Sequence, residues 1–238
     1  MKALSLIMLM LLMACHSKEN LATKSEVLLE PLFDAAGGYN DWTKITELSF
    51  LKESNLYQQD SSLESSVLQR QTFRNYPEFY GEIEYLNDSL NRRIIQENNQ
   101  VKYYENDVIV VDEKKIRSAE TNIRTAFYVI SLPFKLNDPG VQIQSLKEKD
   151  LLELHVKHES KPAENWWLYF YPNNRWLQGY LIEHENRFSH IINDSITEVN
   201  GFTFPVLRRS ILSDSNNENP YFRADYQYSN IKIIVDEN

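Results

Sequence analysis

The chain has 238 residues, 42% of them hydrophobic and 25% charged, with a formal charge of −9 at pH 7. That length and composition describe a globular protein that builds a core without disulfides or metals. The acidic balance excludes binding to nucleic-acid phosphates and a polybasic membrane patch, since both need a basic footprint.

The first segment is a leader. Lys2 supplies a positive start, and Ala3 to Ala14 form an apolar run broken only by Ser5. A helix that spans a bilayer needs about 20 apolar residues, so the run reads as the hydrophobic region of a secretory signal. Its end, Leu12-Met13-Ala14-Cys15, resembles the lipobox of bacterial lipoproteins, in which the cysteine thiol takes a diacylglycerol before the signal is cut. Cys15 is the one cysteine of the chain, so it has no intramolecular disulfide partner, and lipidation accounts for an otherwise free thiol in an exported protein. The resemblance implies a signal peptide over 1–14 and lipidation of Cys15, while the polar stretch over 15–24 reads as a tether and 25–238 as a single domain. In lipobox proteins an aspartate after the cysteine often retains the protein in the inner membrane. His16 stands there instead, which implies a lipid anchor in the outer membrane. Ser17 to Asn20 resembles surface-export signals at Lys18-Glu19, and the side of the membrane stays open.

A first helix is expected from Ser25 to Ala36, with Val27, Leu28, Pro31, Leu32 and Ala35 near one face and Gly37-Gly38 as the stop. After Trp42 the apolar period shortens to two, so Ile45 to Leu51 predicts a strand. Glu53 to Gln71 reads as strand and loop. Phe79 to Leu86 and Arg92 to Glu97 pair around Asn87-Asp88, and Gln100 to Val111 repeats the pattern around Glu105-Asn106-Asp107. Glu113 to Leu132 is the second helix: Ile116, Ala119, Ile123, Ala126, Phe127 and Ile130 recur at three and four, Asp112 caps it, and Pro133 ends or redirects it. Asp138-Pro139-Gly140 is a turn. Strands follow at Val141–Leu146, Leu151–His158, Trp166–Tyr171, Trp176–His184, Phe188–Val199, Phe204–Ser213 and Ile231–Val235. Many strands joined by short turns, with two helical segments, predict a mainly β (α+β) fold: one long antiparallel sheet of about nine to eleven strands.

Several stretches carry a resemblance. Ala35-Ala36-Gly37-Gly38 followed by Trp42 and a strand reaching Phe50 resembles the opening of the LolA/LolB-like lipoprotein-localisation fold. Asn200-Gly201-Phe202-Thr203-Phe204-Pro205 resembles a late strand of that fold, and Tyr228-Ser229-Asn230-Ile231-Lys232 its last. Phe127 to Gly140 resembles the central motif of a family of Bacteroidota lipoproteins and exported proteins to which no activity is attached. What this implies is a half-barrel: a strongly curved sheet with helices on its concave side, whose apolar concavity accepts lipoprotein acyl chains in the localisation factors. The soluble carrier of that pathway is not lipidated, so the Cys15 anchor resembles the anchored receptor instead.

Candidate chemistry is sparse. His155 and His158 are three apart on a strand and so face opposite ways. His184 and His190 straddle a turn, where they can approach. Zinc needs three or four convergent ligands, and no metal or cofactor is expected. Gly37-Gly38 follows no strand, so it is no phosphate loop, and no Gly-x-Ser-x-Gly elbow is present. The acid pairs Asp150-Glu153 and Glu183-Glu185 read as solvated edges. The aromatic run Trp166, Trp167, Tyr169, Phe170 and Tyr171, with Trp176 and Tyr180 beyond a turn, reads first as sheet core. The functional reading is that one alternating set lines a cavity for an apolar ligand, and tryptophan platforms also suit sugars. The expected reading is an anchored lipoprotein that binds an acyl chain, a lipoprotein or another apolar ligand, with Leu132, Phe134, Trp167, Phe170 and Trp176 as the lining. The alternatives are a non-catalytic envelope module that meets a protein partner with a filled interior, and a hydrolase.

Overall fold

The computed structural model describes residues 28–75, 78–159, 164–184 and 186–236. Cys15, the leader, the tether and the Ser25 cap lie outside the described residues.

The first helix, α1, covers residues 28–36. It ends where predicted: Gly38 N–H donates to the Phe33 carbonyl at 2.8 Å, and Gly37 and Gly38 have φ of 119° and 88°. Its buried face is Leu29, Leu32, Phe33 and Ala36, one residue on from the expected stripe, and Pro31 is exposed. One further turn, α2 (Tyr39–Trp42), buries Trp42.

The strands are β1 (Ile45–Tyr57), β2 (Leu63–Arg74), β3 (Tyr80–Tyr85), β4 (Arg93–Glu97), β5 (Gln100–Glu105) and β6 (Val108–Ile109). Helix α3 (Glu113–Ile130) and a 3₁₀ turn (Phe134–Asn137) then interrupt them. Seven more follow: β7 (Val141–Glu148), β8 (Leu152–His158), β9 (Glu164–Phe170), β10 (Leu177–His184), β11 (Arg187–Val199), β12 (Phe202–Asp214) and β13 (Tyr221–Val235). They form one antiparallel sheet of 13 strands in the order β6-β5-β4-β3-β2-β1-β13-β12-β11-β10-β9-β8-β7. The chain builds one wing, crosses through α3, builds the other wing inward, and closes with β13 beside β1. The count exceeds the expected nine to eleven because the segment read as strand and loop is a full β1–β2 hairpin. Asn106 and Asp107, both at positive φ, also split the next run into β5 and β6.

Helix α3 follows its pattern. The Asp112 carboxylate accepts from Lys115 N–H at 2.8 Å, a cap of the kind that contributes about 1 kcal/mol. Ala119, Ile123, Ala126, Phe127 and Ile130 are buried. Gly81 on β3 lets the Ile123 side chain lie against the strand, since a Cβ there would stand 2.9 Å from Ile123 Cδ1.

That helix dictates the curvature of the sheet. Lys115 Nζ donates to Glu105 on β5 at 2.8 Å, and the Tyr128 hydroxyl meets His158 Nε2 on β8 at 3.1 Å. Those strands are ten spacings apart in the sheet order. Laid flat, they would be separated by roughly 48 Å. The helix from Lys115 to Tyr128 is only about 20 Å long. Both contacts are met because the sheet curls round α3, which lies on the concave side. The observed fold is thus the mainly β, strongly curved antiparallel half-barrel that the patterning and the resemblance predict.

One end of the curl is plugged by aromatic rings. Phe134 stacks on Trp42 at 4.5 Å with planes 13° apart, and meets Phe33 at 5.9 Å and Phe202 at 6.3 Å. Three of the four stretches that carried the resemblance, 35–42, 127–140 and 200–205, converge on this plug.

Candidate functional site

The concave face is apolar at the plugged end and becomes polar along each central strand. The inward row of β1 runs Leu48, Phe50, Lys52, Ser54, Leu56, and that of β2 runs Phe73, Gln71, Gln69, Val67. Register aligns them. Phe50 pairs with Gln71, which pairs with Ile83. Lys52 pairs with Gln69 and Tyr228, and Ser54 with Val67 and Tyr226. Where α3 no longer touches this face, a cleft of about 340 Å³ remains between helix and sheet. Leu56, Val67, Ile83, Ala126 and Val129 give it aliphatic walls. Lys52, Ser54, Gln69, Gln71, Asn122 and Thr125 supply its polar groups, and Tyr85 and Tyr226 both kinds of surface. The volume falls in the range of small-molecule sites, so the interior is not solid. The lining is amphipathic where a wholly apolar one was expected.

The charges on this face are unusual. Lys52 Nζ lies over the Tyr226 ring at 4.8 Å and the Tyr228 ring at 5.9 Å, and it forms no ion pair with a described residue. Arg208, on the inner face of β12, is only 3% exposed. Its guanidinium donates to Asn193 Oδ1 at 2.8 Å, the Tyr228 hydroxyl at 3.3 Å and the Val129 carbonyl of α3 at 3.2 Å. None of these acceptors is a carboxylate. Burial alone would raise the Tyr228 phenol, but the Lys52 and Arg208 charges, with the Arg208 hydrogen bond, hold it below its ordinary value. Gln71, which is 1% exposed, donates to Gln69 Oε1 at 2.7 Å, while its own Oε1 has no partner among the described residues.

The five expected lining residues do not meet here. Leu132 and Trp176 line a separate small cavity of about 20 Å³ beside Arg208, room for about one water. Phe134 and Phe170 are core, the latter with no exposed surface. Trp167 faces the other way and is corrected: on β9 the inner row is Trp166, Leu168 and Phe170, and Trp167 stacks on His155 on the convex side at 4.7 Å. A run of aromatics on one strand hides its parity, and only pairing reveals it. The residues that do line the cleft escaped notice because each is an unremarkable polar or aliphatic strand position. The signal in the sequence is the lysine of β1, Lys52, in phase with Leu48 and Phe50.

The histidines behave as spacing demands, with one exception. His158 faces inward and His155 outward. His184 and His190 do not approach: His184 lies opposite Arg187 and His190 opposite Leu181, on different faces of the hairpin. His158, Tyr128, Glu164 and Trp166 share a second cleft of about 270 Å³, which brings an acid, an imidazole and a hydroxyl together. Burial pushes the Tyr128 phenol well up and the His158 imidazole down. Glu164 accepts from the Trp166 indole N–H at 3.1 Å. Burial thus favours the neutral form of both groups, with the Tyr128 hydroxyl at hydrogen-bond distance from His158 Nε2.

No family model matches the chain, and no curated protein is similar to it in sequence. Solved structures share its fold. A DUF1329 family protein from Desulfovibrio piger superposes with a TM-score of 0.55 at 6% identity, over 88% of this chain and 95% of that one. A LolA superfamily protein from Nitrosomonas europaea superposes with a TM-score of 0.52 at 10% identity, over 85% of this chain and 92% of that one. At these identities the likeness is one of fold: the half-barrel is shared, and the side chains in it are this protein's own.

Proposed function

We propose that this protein is an envelope lipoprotein, anchored through Cys15, that binds the acyl chain of a lipid or lipoprotein in the cleft between α3 and the concave face of the sheet. The observation that carries the reading is the cleft itself: about 340 Å³ of space with aliphatic walls from β1, β2, β3 and α3. An envelope module that acted only through its surface would have no need of this space. Each methylene moved from water into such walls contributes about 0.8 kcal/mol. A segment of roughly eight therefore contributes about 6 kcal/mol, enough to offset much of the cost of ordering a flexible chain. The LolA superfamily fold of the neighbour from Nitrosomonas europaea agrees with this use of the concavity. The lipobox stretch supplies the anchor, and the outer membrane is its proposed site.

The test uses the full chain in nanodiscs, with empty nanodiscs subtracted. A fluorescent polyene fatty acid should bind saturably, and lipid should be found by mass spectrometry after gentle extraction. Val67 is half-buried on β2 and faces the cleft. Val67→Trp fills that space and should weaken the probe at least tenfold, about 1.4 kcal/mol, without lowering the melting temperature. Palmitate labelling in cells should be lost in Cys15→Ala. Absence of bound lipid and of saturable probe binding would end the ligand reading, and unchanged labelling of Cys15→Ala would end the anchoring one.

A further inference from the structure

The cleft holds a cation that forms no ion pair with a described residue. Many cations on the described surface sit against acids, such as Arg70 with Glu84, Arg74 with Glu47, Arg209 with Asp194 and Arg223 with Glu64, and others, such as Lys102 and Lys114, are exposed to water, whereas Lys52 is half-buried. Lys52 is different. Its partners are two aromatic faces, and no carboxylate lines the cleft. Behind it stands Arg208, fully buried and also without a carboxylate among its hydrogen-bond acceptors. Two positive charges thus flank Tyr228 on the concave face of a protein whose formal charge is −9. The neighbouring acids point elsewhere: Glu53 and Asp225 alternate with Lys52 and Tyr226 along their strands, and Asp225 is held on the outer face by Asn55 and Tyr57.

A charge withdrawn from water without a counter-ion is unfavourable, and a ligand that brings the counter-ion is favoured over one that does not. The cleft pairs this charge with aliphatic walls at Leu56, Val67 and Val129. We infer that the ligand is an acidic amphiphile, an aliphatic chain ending in an anionic head, whose head is received by Lys52 beside Tyr226 while the chain lies along the aliphatic wall. The inference rests on the cleft reading above and narrows it to a ligand class.

Three ligands with the same sixteen-carbon chain separate the possibilities: palmitate, hexadecyl phosphate and hexadecanol. Each competes with the fluorescent probe on the full chain in nanodiscs. At least one of the two acids should bind tenfold or more tightly than hexadecanol, and the tighter of them identifies the head as carboxylate or phosphate. Lys52→Met should bring that acid to within about threefold of the wild-type affinity for hexadecanol, by removing the ion pair. Lys52→Arg should keep the preference, and Lys102→Met, exposed on β5, should leave it unaltered. Circular dichroism melting of each variant reports whether the fold is intact. Equal affinities for all three ligands, or an acid preference that survives in folded Lys52→Met, would overturn the inference while leaving the cleft reading in place. Failure of all three ligands to bind would instead defeat the cleft reading, and this inference with it.

Discussion

Phe134→Ala is expected to destabilise the protein by about 3–5 kcal/mol, the cost of removing a large buried ring from a core that relaxes only partly. The ring is 3% exposed and touches four others: Trp42, Phe33, Tyr39 and Phe202. These come from α1, α2 and β12, elements that no strand pairing ties to the 3₁₀ turn carrying Phe134. Loss of the ring therefore loosens a junction as well as opening a cavity. Native stabilities of 5–15 kcal/mol leave a small margin, and the melting temperature should fall by roughly 6–20 °C. Urea unfolding followed by tryptophan fluorescence measures the change, with Trp42 as a local reporter. A loss below 1 kcal/mol would mean that the ring is not core and would return Phe134 to consideration as a binding residue.

Gly37→Ala is expected to cost about 2–6 kcal/mol. Gly37 has φ +119°, a conformation that an L side chain adopts only under strain, about 1–3 kcal/mol. Its added Cβ would also stand 2.6 Å from Phe202 Cδ1 and 2.7 Å from the Gly201 carbonyl oxygen. The second of these is backbone and cannot rotate away, so overpacking adds about 1–3 kcal/mol. The neighbouring Gly38→Ala supplies the contrast. It too has positive φ, but the nearest atom to its Cβ would be Asp41 Oδ2 at 4.0 Å, so it should bear the strain alone. Equal and small losses for both variants, by urea unfolding, would mean that the close approach of α1 to the β11–β12 turn does not hold.

Much of the architecture is legible before any coordinates, because it rests on local periodicity. Helix α3 shows its face through Ala119, Ile123, Ala126, Phe127 and Ile130. The β3, β4, β8 and β10 segments show alternation between turn residues. Legibility fails where the pattern serves contacts distant in sequence. Alternation marks only Ile231–Val235 of β13, and the resemblance reaches back to Tyr228, yet β13 begins at Tyr221. Its first half places Ala224, Tyr226 and Tyr228 inward beside Lys52 and Arg208, and there Arg223, Asp225 and Gln227 interrupt the apolar run. The site was missed for a related reason. An apolar ligand suggests apolar lining, so attention falls on the tryptophans and phenylalanines. Packing uses those residues first: Phe134 in the plug, Phe170 in the core, Trp167 on the convex face. The space left over lies farther along the same strands, where Lys52, Ser54 and Gln69 continue the inward rows in polar form. No pattern of one strand shows where a helix packed on the concave face stops filling the concavity.

The most direct test is to locate a ligand. The protein is crystallised with a fatty acid brominated near the chain end, and the anomalous signal of bromine is mapped. A peak is expected in the cleft, within van der Waals reach of Leu56, Val67 or Val129, with the head group's density beside Lys52. Saturating ligand with an unoccupied cleft, or bromine bound only on the convex face or at the sheet edges, would contradict the role assigned to the space beneath α3.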